Sequence, residues 1–349
     1  MEAEKYDDLW SDHVPTDILK SISSRLVAGD YFVFRAVCKA WREHPLPPQL
    51  HLHHDDQDDT PSIVEFFNPV YNALIIPTMV ISKLKGSRIR SSKANWLLMS
   101  HGNRGMFFFN PKSNDIIELP NLPLIHNCFS AWTFSCPPNS SSSSCFVVGF
   151  DEVGSPPDVY IIKVGDTTWT YHYFVNELRN CQGLFSLLGY KGTLGVLTIN
   201  ENSAAETPSW QFYGTPFSRT KQKSIREVYM VEDVDNRGML AVFLTHEQGK
   251  IEVWRYNMNG RIFERKQITN LDNNKTLFVS FGGSYLKPCV ARGLENKIYL
   301  PMYHNKDKGV FYCLATHRYY SFDYSFKKPL SSPNYYNLSR PRCCIWIER

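Results

Sequence analysis

Several signatures are missing from this 349-residue chain, and each absence removes a class of function. No run of 18 or more apolar residues occurs, so no membrane-spanning helix and no membrane partner are expected. The opening MEAEKYDD has neither the basic start nor the apolar stretch of a signal peptide, which predicts a soluble cytoplasmic and/or nuclear protein. Nine cysteines, at 38, 128, 136, 145, 181, 289, 313, 343 and 344, form no C-x-x-C pair and no zinc-type spacing. Reduced, mostly buried thiols are therefore expected. G-x-S-x-G, P-loop, H-E-x-x-H and dinucleotide fingerprints are all absent. Phe281-Gly282-Gly283-Ser284-Tyr285 is a glycine-rich turn, and Gly102-x-x-Gly105 suits a hairpin turn better than a phosphate cradle. No catalytic residue, metal or cofactor is predicted, and the expectation is a protein that is not an enzyme.

What is present begins with Trp10 to Glu43. Pro15 suits a helix's first turn, where its missing N–H is no loss, and Asp17 suits the positive helix N-terminus. Ile18, Leu19, Ile22 and Leu26 then recur with helical period, expected on one face. Gly29 breaks the pattern and Asp30 is a good N-cap for a second helix. There Phe34, Val37, Cys38 and Trp41 fall at i, i+3, i+4 and i+7 before Pro45 ends the run. Two helices this short bury too little to offset the entropy of ordering them, so their apolar face needs a partner. That partner is the rest of the chain or another protein.

The residues Val14-Pro15, Asp17-Ile18-Leu19, Ile22, Leu26, Phe34-Arg35-Ala36-Val37-Cys38-Lys39 and Trp41-Arg42 resemble the F-box. The resemblance implies an F-box helical module over residues 6–45 that binds a Skp-type adaptor and, through it, a cullin. Its adaptor-binding residues would be Val14, Pro15, Ile18, Leu19, Ile22, Leu26, Phe34, Val37, Cys38 and Trp41. Val14 departs from the family, where leucine usually precedes the proline; one lost methylene weakens the contact by about 1 kcal/mol.

Charge is divided unevenly. Residues 1–60 hold 12 Asp/Glu against 6 Lys/Arg, which leaves 22 against 32 for residues 61–349. The excess suits an acidic or phosphorylated protein partner but is mostly dispersed. Lys83, Lys85, Arg88, Arg90 and Lys93 cluster without interleaved aromatics, so no nucleic acid is expected. Residues 46–61 read as a polar linker between prolines. His51, His53, His54, Asp55, Asp56, Asp58 and Asp59 lie there, but adjacent ligands on a flexible segment do not make a preformed metal site.

Beyond residue 62, short apolar and aromatic runs alternate with Gly, Asn, Pro and Ser. Trp96–Met99, Met106–Phe109 and Ile116–Leu119 predict a meander, followed by strands in 129–175, 184–213, 227–268 and 277–322. The loop PPNSSSSS at 137–144 is expected to be disordered. Asn259-Gly260 marks a hairpin. Groups recurring every 40 to 60 residues predict a mainly β fold, a five- to six-bladed β-propeller over 62–349, with a β-sandwich pair as the alternative. Residues 63–90 and Cys343–Ile347 are expected to form or close one further blade. Trp132, Trp169, Trp210 and Trp254 would be recognition hot spots if exposed, but in such strands are expected to pack between blades.

Trp96-Leu97-Leu98-Met99, Phe108-Phe109-Asn110-Pro111, Ile117-Glu118-Leu119-Pro120, Leu277-Phe278-Val279 and Lys297-Ile298-Tyr299 look like the plant KIB-type, kelch-like domain. In that family it follows an F-box. Together the two resemblances imply the substrate receptor of a Skp–cullin–F-box ubiquitin ligase (SCF), serving protein ubiquitination, with the β domain holding an unknown protein substrate. The alternative is a propeller binding or scaffold protein without a ligase role. No residue is singled out for substrate binding.

Overall fold

Runs such as WLLM and MFFF are apolar at consecutive positions, which requires a strand covered on both faces. The computed structural model describes residues 14–23, 49–53, 64–68, 73–75, 84, 86–111, 113–123, 131–139, 144–150, 159–172, 184–188, 192–199, 208–233, 235–236, 238–247, 249–259, 262–272, 274–289, 295–304, 308–321, 338–339 and 345–347. Among these the strands fall into six sheets, and the helices are α1 (Thr16–Ser23) and α2 (Arg219–Ser224). Ser218 caps α2, its side chain accepting from Lys221 N.

Sheet I contains β1 (Gln49–His53), β2 (Val64–Asn68), β3 (Ala73–Ile75) and, from the far end of the sequence, β25 (Ile345–Ile347). Sheet II is the meander β4 (Ser87–Lys93), β5 (Trp96–His101), β6 (Gly105–Phe109) and β7 (Ile116–Leu119). Sheet III holds β8 (Ala131–Phe134), β9 (Phe146–Phe150), β10 (Val159–Lys163) and β11 (Thr170–His172). Sheet IV has three described strands, β12 (Leu184–Leu188), β13 (Leu194–Thr198) and β14 (Ser209–Tyr213). In sheet V, β15 (Ile225–Asp233), β16 (Gly238–Thr245), β17 (Ile251–Asn259) and β18 (Ile262–Ile268) run antiparallel, and Asn259 pairs with Ile262 across the expected hairpin. Sheet VI is less regular. Its strands are β19 (Lys275–Phe278), β20 (Tyr285–Pro288), β21 (Lys297–His304), β22 (Lys308–Cys313), β23 (Arg318–Ser321) and β24 (Leu338–Ser339), with β19 and β21 parallel.

Alternate residues of one strand supply different cores. Trp96, Leu98, Met106 and Phe108 pack with Trp132, Phe134, Val147 and Ile162 of sheet III. Their neighbours Leu97, Met99, Phe107 and Phe109 pack on the opposite side with Ile345 of sheet I. The same arrangement continues from III to IV through Val148, Ile161 and Leu197, and from IV to V through Leu194, Val196, Ala241 and Phe243. Sheets V and VI meet through Val242, Val253, Leu277 and Ile298. Trp346 of sheet I then meets Phe278 and Tyr299 of sheet VI, with ring centroids 5.2 Å and 6.5 Å away. Each sheet packs on the next and the sixth on the first. The fold is a β-propeller, and the sandwich alternative falls because a sandwich covers one face of each sheet, not both.

Closure is fastened at two places. β1 pairs with β25, Leu50 opposite Trp346 and His51 opposite Ile345, and with β2 on its other edge. Gln49–His53 had been expected to lie in the 46–61 linker. They form a strand instead, because β2 on one edge and β25, almost three hundred residues away, on the other supply its ladder hydrogen bonds. The remainder of 46–61 lies outside the described residues, as do 140–143 of the serine loop.

The second fastening is the turn at Phe281–Ser284, which connects β19 and β20 and reaches β4. Ser92 N donates to Gly282 O at 2.7 Å, and Ser91 Oγ donates to the same carbonyl at 2.8 Å. The Tyr285 hydroxyl lies 2.7 Å from Ser92 Oγ and donates to Ser92 O at 2.8 Å. Gly282 has φ +77, and a Cβ there would stand 2.3 Å from Arg90 O. Left-handed backbone costs a non-glycine residue roughly 1–2 kcal/mol before any clash. Gly282→Ala is therefore expected to destabilise the protein by at least about 2 kcal/mol, read as a lowered urea midpoint with unchanged m-value.

One titration bears on stability at the outer edge of sheet III. Burial lowers the pKa of His172 from its ordinary 6.5. The unfolded chain then takes up the proton first, so this contribution is neutral at high pH and destabilising as pH falls through 6.5 towards the folded value. A small loss of stability on acidification, abolished in His172→Gln, is the expected outcome of unfolding measured across about pH 5.5–7.5, roughly one unit to either side of 6.5.

Candidate functional site

Two surfaces are candidates, the N-terminal helix and the loop rims of the ring. Helix α1 starts where expected, within a residue. Pro15 O accepts from Leu19 N at 3.1 Å and from Ile18 N at 3.0 Å, so proline stands at the N-cap and Thr16 opens the helix. Asp17 lies in the first turn, favourably placed at the positive helix end.

The apolar residues of α1 divide into two sets. Ile18 is 51% exposed and Ile22 is 37% exposed, one above the other at i and i+4, with exposed Pro15 preceding them. Leu19 is only 4% exposed. The expected single face is thus an exposed Ile18–Ile22 strip and a buried Leu19, with Val14 half-buried beside them. Leu26, Phe34, Val37, Cys38 and Trp41 lie outside the described residues.

On the ring, Trp132, Trp169 and Trp254 pack against neighbouring side chains, and the side chain of Trp210 lies outside the described residues. Trp132 is 4% exposed, meets Trp169 edge to face at 5.8 Å, and Trp169 Nε1 donates to Pro120 O at 2.8 Å. Trp254 Nε1 donates to Glu252 at 3.1 Å, and the Arg265 guanidinium lies over the rings of Phe217 and Trp254 at 4.1 Å and 5.5 Å. The large exposed aromatics are others, Phe281 at 59%, Tyr171 at 49% and Phe212 at 47%. Phe281 flanks the closing turn and contacts Tyr229 of β15 at 5.4 Å.

A charged knot fixes one rim between sheets V and VI. Fully buried Asp233 lies 3.5 Å from Arg255 and 3.7 Å from Lys275, whose amine is also 2.7 Å from Asp235. Arg255 pairs with Asp272, and Asn236 Nδ2 donates to Asp233 at 2.8 Å. Burial pulls the Lys275 pKa down, but its bond to Asp235 and the charges of Asp233, Asp235 and Asp272 outweigh this and raise it. Arg255 and Lys275 offset two of the three carboxylate charges, and the knot holds loops in place. Among the described residues no group of three or more His, Cys, Asp or Glu could hold a metal ion, and no helix is long and apolar enough to cross a membrane.

Residues 66–325 match the family described as the KIB1-4 beta-propeller, and residues 12–48 match the F-box domain. The chain belongs to the KIB1-4 beta-propeller family. The F-box match places α1, with its exposed Ile18 and Ile22, inside a domain that generally binds Skp-type adaptors.

Curated relatives of this KIB1-4 propeller agree. An F-box protein of Arabidopsis thaliana is 30% identical over 310 residues, covering 82% of this chain and 60% of the relative. The chain thus spans less than two thirds of that protein's length. An F-box/kelch-repeat protein of the same plant is 27% identical over 294 residues, covering 75% of this chain and 72% of the relative. A third, another F-box protein of the plant, is 26% identical and covers 96% of this chain and 85% of itself. Among solved structures, the complex of fission yeast SREBP–SCAP binding domains gives a TM-score of 0.32 at 13% identity, covering 74% of this chain and 63% of that one. Nothing about function follows from a likeness so weak.

Proposed function

We propose that this chain is the substrate-recognition subunit of a Skp–cullin–F-box E3 ubiquitin ligase. The observation that carries the reading is the Ile18–Ile22 strip, two large apolar side chains presented to solvent on the helix that matches the F-box. On this reading Val14, Pro15, Ile18 and Ile22 touch the Skp-type adaptor together with Leu26, Phe34, Val37, Cys38 and Trp41. Leu19, being buried, positions α1.

The domain limits follow as a module over 6–45, a linker shortened by β1, and a propeller of six blades corresponding to the six sheets, with β24 a supplement to the sixth. The propeller holds a protein target on its loop rims, where recognition residues on a rigid scaffold usually lie. The chain itself does no chemistry. It holds a target lysine near a ubiquitin thioester supplied by other subunits, so that the transfer becomes effectively unimolecular. Its place of work is the cytoplasm or nucleus.

The test is co-purification of the full chain with a Skp-type adaptor and cullin. Stoichiometric capture is expected; failure of the folded protein to bind the adaptor would favour a scaffold role instead.

A further inference from the structure

Two of the nine cysteines face each other across a hairpin. Strands β8 and β9 are paired with Phe134 opposite Val147, and the ladder continues with Ser135 N donating to Phe146 O at 3.0 Å. The next residues in register are Cys136 and Cys145. Phe146 N donates to Ser135 Oγ at 2.9 Å rather than to its carbonyl, so the ladder ends here and the two cysteines follow at its mouth. Both side chains lie on one face, Cys145 within the core shared with Phe134 and Val147 and Cys136 packed against it. The thiols interact directly with each other, and Cys145 Sγ also donates to Cys136 O at 2.9 Å.

We propose that Cys136 and Cys145 are a reversible redox pair, closing to a disulfide across the neck of the 137–144 loop when the folded protein meets a peroxide. Cys136 is partly exposed and reacts first. Its sulfur attacks one peroxide oxygen, the O–O bond breaks, and a sulfenic acid and water result. The Cys145 sulfur then attacks the Cys136 sulfur and displaces the hydroxyl, which leaves as water with the remaining thiol proton. Two thiols lose two electrons and one hydrogen peroxide becomes two waters. A dithiol reductant reverses the change.

Burial guards the pair against indiscriminate oxidation. Burial, the largest cause, pushes the Cys145 thiol up to about 12. It is protonated near neutral pH, so closure is slow and accelerates as pH rises. With Cys145 Sγ already in contact with the Cys136 backbone, little movement is needed, and the disulfide locks the end of the β8–β9 pair. This inference is independent of the adaptor-docking reading.

The full-length protein is treated with hydrogen peroxide, quenched, labelled with N-ethylmaleimide and cut after Phe134 and Phe146. The peptide 135–146 contains these two cysteines and no other. Expected is recovery of that peptide unlabelled and lighter by two hydrogens, reverting to the doubly labelled form after dithiothreitol. Cys145→Ser should leave a Cys136 sulfenic acid trapped by dimedone, and Cys136→Ser should leave Cys145 fully labelled only after unfolding. Disulfides from either cysteine to a different residue, or sulfinic acid at Cys136 beside an unoxidised Cys145, would overturn the proposal. The wild-type peptide decides this even if a variant does not fold.

Discussion

Replacing Trp346 with alanine is expected to remove about 3–5 kcal/mol of stability, the usual cost of truncating a fully buried tryptophan. The side chain is 1% exposed, contacts Phe278 and Tyr299, and its Nε1 donates to Val279 O at 3.1 Å. Its backbone N donates to Ser280 Oγ at 2.9 Å, and it stands opposite Leu50 in the strand that closes sheet I. One residue therefore joins the first sheet to the last. Denaturant unfolding should show the loss, and hydrogen exchange should locate faster opening in β1 and β19. Trp346→Phe keeps an aromatic ring against Phe278 but loses the donor, so its cost should be nearer 1–2 kcal/mol. A loss below about 1 kcal/mol in the alanine variant would mean that ring closure does not depend on this contact.

The double substitution Ile18→Asp with Ile22→Asp should abolish capture of a Skp-type adaptor while leaving the urea midpoint nearly unchanged. Both side chains are exposed in the isolated chain, so the fold loses little. In a complex each would be buried, at roughly 1.5–3 kcal/mol apiece. Losing both amounts to about 3 kcal/mol or more, a hundredfold or greater rise in Kd, before the cost of desolvating two carboxylates. Leu19→Asp should behave differently, lowering stability along with binding, because Leu19 is buried. Adaptor binding at wild-type strength by the double variant would move the docking surface off α1.

Much of the ring was legible in the sequence because its strands are continuously apolar. Ile116–Leu119 was expected at the residues where it occurs, and Trp96 and Met106 fall within one residue of their observed strand starts. The alternating faces of WLLM and MFFF could not be assigned to particular neighbours, because both faces are apolar. What escaped notice was polar. β4, SRIRSSK, shows a basic cluster to inspection, yet Ser87, Ser91 and Ser92 are buried. Ser91 and Ser92 bond with Gly282 and Tyr285, partners 191 and 193 residues away. β1, QLHLH, was hidden for the same reason. Trp132, Trp169 and Trp254 proved to be packing residues, whereas Phe281, exposed beside a turn, gave no signal that distinguished it from other phenylalanines.

The pairing of β1 with β25 also sets an order of events during synthesis. Gln49 leaves the ribosome long before Ile345, and at about 5–20 residues per second the wait is roughly 15–60 s. Throughout that interval one edge of β1 has no partner from its own chain, an open template for pairing with another chain. The helix that carries Ile18 and Ile22 has emerged by then. On the proposed function, α1 is then free to meet a Skp-type adaptor before the ring exists, and a chain truncated before residue 345 would keep α1 but leave sheet I without its closing strand.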